Sequence, residues 1–399
     1  MRKSRAYRII VLIALALNLV VLWRLSSGIL IQPRWIMNQD FAQFWAAGRL
    51  NLMALNPYDP HQIQQLKGQI AGEAEVTSAV ITLFYSPPWS MLMAMPFGVL
   101  PYLPSRLLWL VVNIVVLFIS ARLLWHLYGG SEKLVWLSWL VVLTFGPTYL
   151  VLVQGQITPL MLLGLAGFLY CVERRQNDWL AGVVATLVSI KPQLFYLFWF
   201  ALLLWVVNTR RWKILVSLCV VILGATVASA MFNPLLIPQY IEALSLYPPV
   251  AWLTPTVGVL LRLIFGESKY WLQYIPPAIG LIWFLWYWKH HHTNWIWSQV
   301  MPVLLFVSLI TAPHAWSYDQ ILLIAALIPA WIGLVQMGNN FQRALLFALY
   351  AFINILYLVL HRFYMDEYFI WFAPALFLWW WLVHQMTGVG TRLEFDKNS

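Results

Sequence analysis

Apolar runs of membrane length recur along almost the whole chain, broken by short polar stretches. About 20 apolar residues in a helix cross about 30 Å of hydrocarbon. On that measure the spanning segments are Ile9 to Leu30, Pro104 to Trp125, Leu134 to Val153, Ile157 to Val172, Trp179 to Ile190, Pro192 to Val207, Ile214 to Phe232, Tyr274 to Trp288, Ile296 to Ala312, Asp319 to Gln336, Ala344 to Leu360 and Tyr368 to His384. That makes about twelve. Each is apolar all round, without the alternation of a barrel strand, so the fold class is all-α and polytopic. No stretch is left for a soluble domain, and residues 1–399 read as one integral membrane domain. The piece from Pro87 to Leu100 is apolar but short and carries Pro87, Pro88 and Pro96, which suits a re-entrant or interfacial segment.

The polar stretches carry the punctuation. Residues 31–86 form a long first outer loop. Within it Asp40-Phe41-Ala42-Gln43-Phe44-Trp45, followed by Leu52 and Leu55, has the spacing of an amphipathic helix lying on the membrane surface. Asn56-Pro57-Tyr58-Asp59-Pro60 is a turn signal, and Phe84-Tyr85-Ser86-Pro87-Pro88 returns the chain toward the membrane. The runs Ile157 to Val172 and Trp179 to Ile190 are too short to cross unaided. Their ends at Gln156 and Lys191 therefore belong below the surface, in a protein-lined cavity.

Composition excludes an ordinary soluble protein: 62% of residues are hydrophobic, 10% are charged, and there are 25 Trp, 22 Phe and 18 Tyr. The net charge of +10 is unevenly spread. A cytoplasmic N-terminus puts Arg122/Lys133, Arg174-Arg175, Arg210-Arg211/Lys213, Lys289, Arg343 and Arg392/Lys397 inside, as the positive-inside rule requires. Both termini are then cytoplasmic in a plasma-membrane protein, and the polar motifs gather on the outer face. The first run is longer than a signal-peptide core and lacks a clear cleavage site, which reads as an uncleaved helix. Cys171 and Cys219 fall in apolar runs without metal or redox spacing, and read as packing residues. No Gly-rich phosphate loop occurs, which disfavours a nucleotide substrate; no nucleic acid, cofactor or metal is expected.

Asp40 is the leading candidate for chemistry. An acid at the membrane surface either complements the dipole of a helix capped by Asn38 or serves as a general base, and the two are compatible. Asp59 is explained by its turn and is a secondary candidate; Tyr85 is a belt aromatic or a substrate contact. Lys191 reads as a snorkelling residue or as a cation in a cavity, and Pro192 limits its reach, which favours the cavity. His314, Trp316 and Asp319 stand at a helix junction where imidazole, indole and acid could line one pocket or satisfy one another. His290-His291-His292 is a solvated turn rather than a metal site.

Taken together, Asp40 with Gly48, Pro57-Tyr58-Asp59, Tyr85-x-Pro87-Pro88, Gly155-Gln156, Lys191-Pro192 and Pro313-x-x-Trp316 resemble the GT-C superfamily of polyprenyl-phosphate-sugar-dependent glycosyltransferases. Within it they resemble the bacterial α-mannosyltransferases that extend phosphatidylinositol mannosides. The resemblance implies inverting transfer of a hexose, mannose first, from a polyprenyl-phosphate carrier to a lipid or glycan acceptor on the outer face. Asp40 would be the base, Lys191 and Gln156 would meet the donor phosphate, and Tyr85, Asp59, His314, Trp316 and Asp319 would contact substrate. No metal would be needed. A multi-pass transporter or lipid-linked-sugar flippase is the rival reading, although no internal repeat is evident; a non-catalytic scaffold is a third.

Overall fold

The structure is a computed structural model that describes residues 39–71 and 83–387. The first apolar run, Asn38 and parts of the first loop lie outside these residues. Every regular element among the described residues is helical. Among the described residues six helices are long and apolar enough to span a membrane: Tyr102–Leu127, Pro192–Thr209, Lys213–Ala230, Ser317–Gln336, Asn340–Leu360 and Asp366–Thr387. The bent pair Glu132–Thr144 and Gly146–Gln154 would make a seventh. Asp178–Ile190 and Trp297–Thr311 are apolar but shorter. The piece expected to be re-entrant or interfacial is a 3-10 turn followed by the helix Met91–Val99, nine residues long. At about 1.5 Å per residue it is too short to cross.

Two of these helices are inside out. Tyr102–Leu127 exposes Leu103, Leu107, Leu108, Val111, Val115 and Ile119 while burying Ser105, Arg106, Asn113 and Ser120. Lys213–Ala230 exposes Val216, Val220, Leu223 and Val227 while burying Ser217 and Ser229. Apolar residues outward and polar ones inward suit a lipid surround, where buried polar groups find protein partners. Cys219 is on such an exposed face, whereas Cys171 is buried; only the latter packs as expected.

Two compact units emerge. The first contains the described residues up to Val116 together with Thr148–Ile157 and Leu218–Pro249; the second contains Leu117–Pro147, Thr158–Ser217 and the described residues from Val250 onward. In the first unit the helix Asp40–Leu52 is not the surface-lying amphipathic element its spacing suggests. Phe41, Ala42, Phe44, Trp45, Ala46, Ala47, Gly48, Leu50 and Asn51 are all buried, around most of its circumference. A helix apolar on nearly every side belongs in a core. Small residues permit the close approach: a Cβ on Gly48 would lie 2.3 Å from the Ala94 carbonyl oxygen, and one on Gly98 would lie 2.4 Å from the Arg49 nitrogen.

Gly48→Ala is therefore expected to cost about 1–3 kcal/mol through overpacking. Gly224→Ala, whose Cβ would meet nothing within 4 Å, should be neutral or stabilising by up to about 1 kcal/mol. Thermal melts of both variants in detergent check the contrast.

In the second unit Ser317–Gln336 is the central element, with every residue from Asp319 to Leu334 buried. Phe168, Phe198 and Trp297 close an aromatic cluster elsewhere in this unit, with centroids 5.1 to 5.5 Å apart.

Candidate functional site

Asp40 opens its helix in the first turn. The N-cap is Gln39, whose side chain makes no capping bond; its amide oxygen instead accepts from Arg106 Nε at 3.0 Å and from the Tyr102 hydroxyl at 3.3 Å. The same guanidinium donates through Nη2 to the carbonyls of Leu152 and Val153 at 2.6 and 2.9 Å. Further along that face of Tyr102–Leu127, Trp109 Nε1 donates to the Gly155 carbonyl at 2.7 Å, and Asn113 Nδ2 to the Gln156 carbonyl at 3.2 Å. Three donors spaced three and four apart thus satisfy carbonyls at the end of Gly146–Gln154 that no helical N–H reaches. Gly155, at φ +67°, turns the chain there, and a side chain would strike Phe41.

The result is a fixed juxtaposition. The Gln156 amide donates to Asp40 Oδ2, and Gln43 Nε2 donates to Asp40 Oδ1 at 3.1 Å. Both carboxylate oxygens thus accept from side-chain amides at the positive end of the helix, which fixes the position of the carboxylate.

Lys67 adds a cation. It lies on the same face of Pro60–Ala71 as Ile63, and both are buried, Lys67 to 1% exposure. Burial pushes its ammonium down to about 8, while the charge of Asp40 opposes the fall. In the unfolded chain a lysine titrates at about 10.4. Below about pH 8 it is charged in both states and the burial penalty is fully present. Between about pH 8 and 10.4 the unfolded chain binds more protons, so stability should rise with pH, by on the order of 3 kcal/mol. Lys67→Met is expected to flatten that rise in melts recorded across the window.

The second unit carries a separate polar cluster around Lys191. Pro192 disfavours helical geometry in the residue before it. Lys191 accordingly sits at φ −128°, ψ 75°, between the 3-10 segments Thr186–Ile190 and Pro192–Phe195. Its Nζ is 2.8 Å from Asp319 Oδ1 and 4.9 Å from the Tyr318 ring centroid. Asp319, with a side chain 2% exposed, also accepts from the Thr158 hydroxyl at 2.8 Å and from the Trp316 N–H at 3.1 Å.

One comparison bears on what these clusters do. Residues 84–245 match the family model Glycosyltransferase family 87. The match supports a glycosyltransferase. No curated protein and no solved structure gives a match. Of the candidate residues, Tyr85, Gln156 and Lys191 fall within the stretch matching family 87; Asp40, Asp59, His314, Trp316 and Asp319 fall outside it.

Of the residues singled out from sequence, Asp40, Asp59, Tyr85 and Gln156 lie in the first unit, and Lys191, His314, Trp316 and Asp319 in the second. Gln156, expected at a donor phosphate, has its amide on Asp40. Asp59 is occupied as a helix cap, accepting from the His61 N–H and from Gln62 Nε2, both at 2.8 Å. The Tyr85 hydroxyl donates to the Tyr247 carbonyl at 3.2 Å. Asp319 is tied to Lys191, while His314 packs on Trp252 and bonds Gln273. Sequence reading missed Lys67 and Arg106. Lys67 shares its helix face with Ile63, and Arg106 shares its face with Trp109 and Asn113 in an otherwise apolar run, so a buried cation was readable from the spacing in both.

Proposed function

We propose that the chain is an inverting hexosyltransferase, mannose being the first sugar to test, that uses a polyprenyl-phosphate donor and a lipid or glycan acceptor. The observation that carries this reading is the Asp40 carboxylate, held in place by amide donors on both oxygens. In the proposed reaction the acceptor hydroxyl oxygen attacks the anomeric carbon and the carbon–oxygen bond to the phosphate breaks. The proton passes to Asp40, and polyprenyl phosphate leaves with the bonding pair. A positioned base contributes about 10² to 10⁴ in rate.

Lys191 is assigned to the departing phosphate, as a compact cation at a helix break. Tyr85, His314, Trp316 and Asp319 are assigned to substrate contacts, with Asp59 secondary because its oxygens already cap a helix. Gln156 is moved from the phosphate to Asp40, as the group that orients the base. The proposal includes about twelve spans, cytoplasmic termini and an outward-facing site in the plasma membrane, which the distribution of basic loops supports.

The test is transfer from radiolabelled polyprenyl-phosphate sugars by the purified full-length chain in liposomes carrying an extracted lipid and glycan pool. A labelled product that depends on the protein supports the reading. Donor left intact across mannose, glucose and galactose carriers would defeat it.

A further inference from the structure

Trp316, assigned above to substrate contact, is one ring of a longer aromatic row in the second unit. Trp252, Trp316 and Tyr318 follow one another in space. The rings of Trp252 and Trp316 are 5.7 Å apart and inclined by 56°, and those of Trp316 and Tyr318 are 6.1 Å apart and within 16° of parallel. All three are half-buried. The row ends at Lys191, whose ammonium lies over Tyr318 and pairs with Asp319.

The far end of the row is held by a buried arginine. Arg262, 1% exposed, donates to the carbonyls of Val250, Trp252 and Glu267 at 2.9, 3.1 and 2.9 Å and to Gln273 Oε1 at 2.6 Å. Desolvating a guanidinium costs several kcal/mol. Here the return is a rigid backbone on both sides of Trp252. The Gln273 amide, with its oxygen turned to Arg262, donates to the Pro313 carbonyl and to His314 Nδ1. The His314 ring meets Trp252 edge to face at 5.5 Å. Burial, and then the charge of Arg262, lower the His314 imidazole to about 4, so it is neutral near pH 7.

We propose that Trp252, Trp316 and Tyr318 form a stacking track for the sugar rings of the acceptor, which is then a saccharide of two or more residues rather than a bare lipid hydroxyl. This rests on the glycosyl-transfer reading above. A pyranose offers an apolar C–H face to an aromatic ring and a rim of hydroxyls to polar neighbours, and aromatic rings with polar surroundings are the matching surface. Successive rings are spaced on the scale of one sugar unit. The imidazole that meets Trp252 is neutral near pH 7 and the arginine that holds its backbone is committed to carbonyls, which suits an uncharged ligand. A single donor sugar would need only one ring.

Saturation-transfer NMR on the full-length chain in detergent micelles tests this without turnover. The probes are mannobiose, maltose, cellobiose and diacetylchitobiose, with glycerol as the polyol control. Wild type should saturate ring C–H protons of at least one disaccharide above the glycerol level. Trp252→Leu and Trp316→Leu should each reduce that signal about fivefold or more. Trp252→Phe should keep most of it, and Trp286→Leu, at an exposed position (58%) remote in sequence from the track, should keep all of it. Should Trp252→Leu melt early, the Trp252→Phe and Trp316→Leu pair decides. No signal above glycerol in wild type, or equal signals in wild type and Trp316→Leu, overturns the track. Sugar saturation without any transferred product leaves the track standing as a sugar site and removes only the enzyme reading.

Discussion

Asp40→Asn is expected to lower transfer by about 10² or more while the chain still folds. The substitution keeps the side chain's size but cannot take up the acceptor's proton. It also turns an amide N–H₂ toward the donors Gln43 and Gln156, so one of these two hydrogen bonds should be lost, at about 1–3 kcal/mol. Turnover and thermal stability measured on one preparation separate the effects. If the carboxylate served only the positive end of its helix, the loss would be about 0.3–1 kcal/mol of stability, with chemistry nearly intact. Turnover near wild type would end the general-base assignment, and Asp319 would be the next acid to test.

Lys191→Ala should reduce productive use of the donor by about 10²-fold or more, because a leaving phosphate loses its cation. Part of any loss has a second origin: Asp319 is left with a buried charge supported only in part by Thr158 and the Trp316 N–H. The double variant Lys191→Ala/Asp319→Asn resolves this. If Lys191 exists to neutralise Asp319, the double variant recovers both stability and donor kinetics. If it meets the phosphate, stability recovers and donor kinetics do not. Lys191→Arg should restore only part of the activity, since a planar fork replaces a point charge.

Helix positions were largely legible because a chain in lipid must advertise its spans. The runs Pro104 to Trp125 and Ile214 to Phe232 fall within two residues of Tyr102–Leu127 and Lys213–Ala230. The break at Lys191 was readable from Pro192. The break at Phe145, which divides the run Leu134 to Val153, was signalled by Gly146-Pro147 but hidden by unbroken hydropathy. Partnerships were not legible. Asp40 meets Gln156 across 116 positions and Lys191 meets Asp319 across 128, distances over which only the packed helices set the register. The burial of Asp40–Leu52 was missed for a related reason. Spacing reveals one apolar stripe, but the glycines that admit a second helix carry no hydropathy signal of their own.

The row of donors Arg106, Trp109 and Asn113 works as a ruler, and it constrains how chain length can vary. A helix turns about 100° per residue. A single inserted residue between Arg106 and Asn113 would swing part of the row away from the carbonyls that end Gly146–Gln154, and would release Gln156 from its place beside Asp40. An insertion of seven residues would misplace it by only about 20° in rotation, yet would shift it about 10 Å along the axis. Neither change is tolerable. Related chains that keep this turn should therefore keep the 106–113 interval free of insertions and deletions, and should accommodate differences in length beyond Leu127 instead.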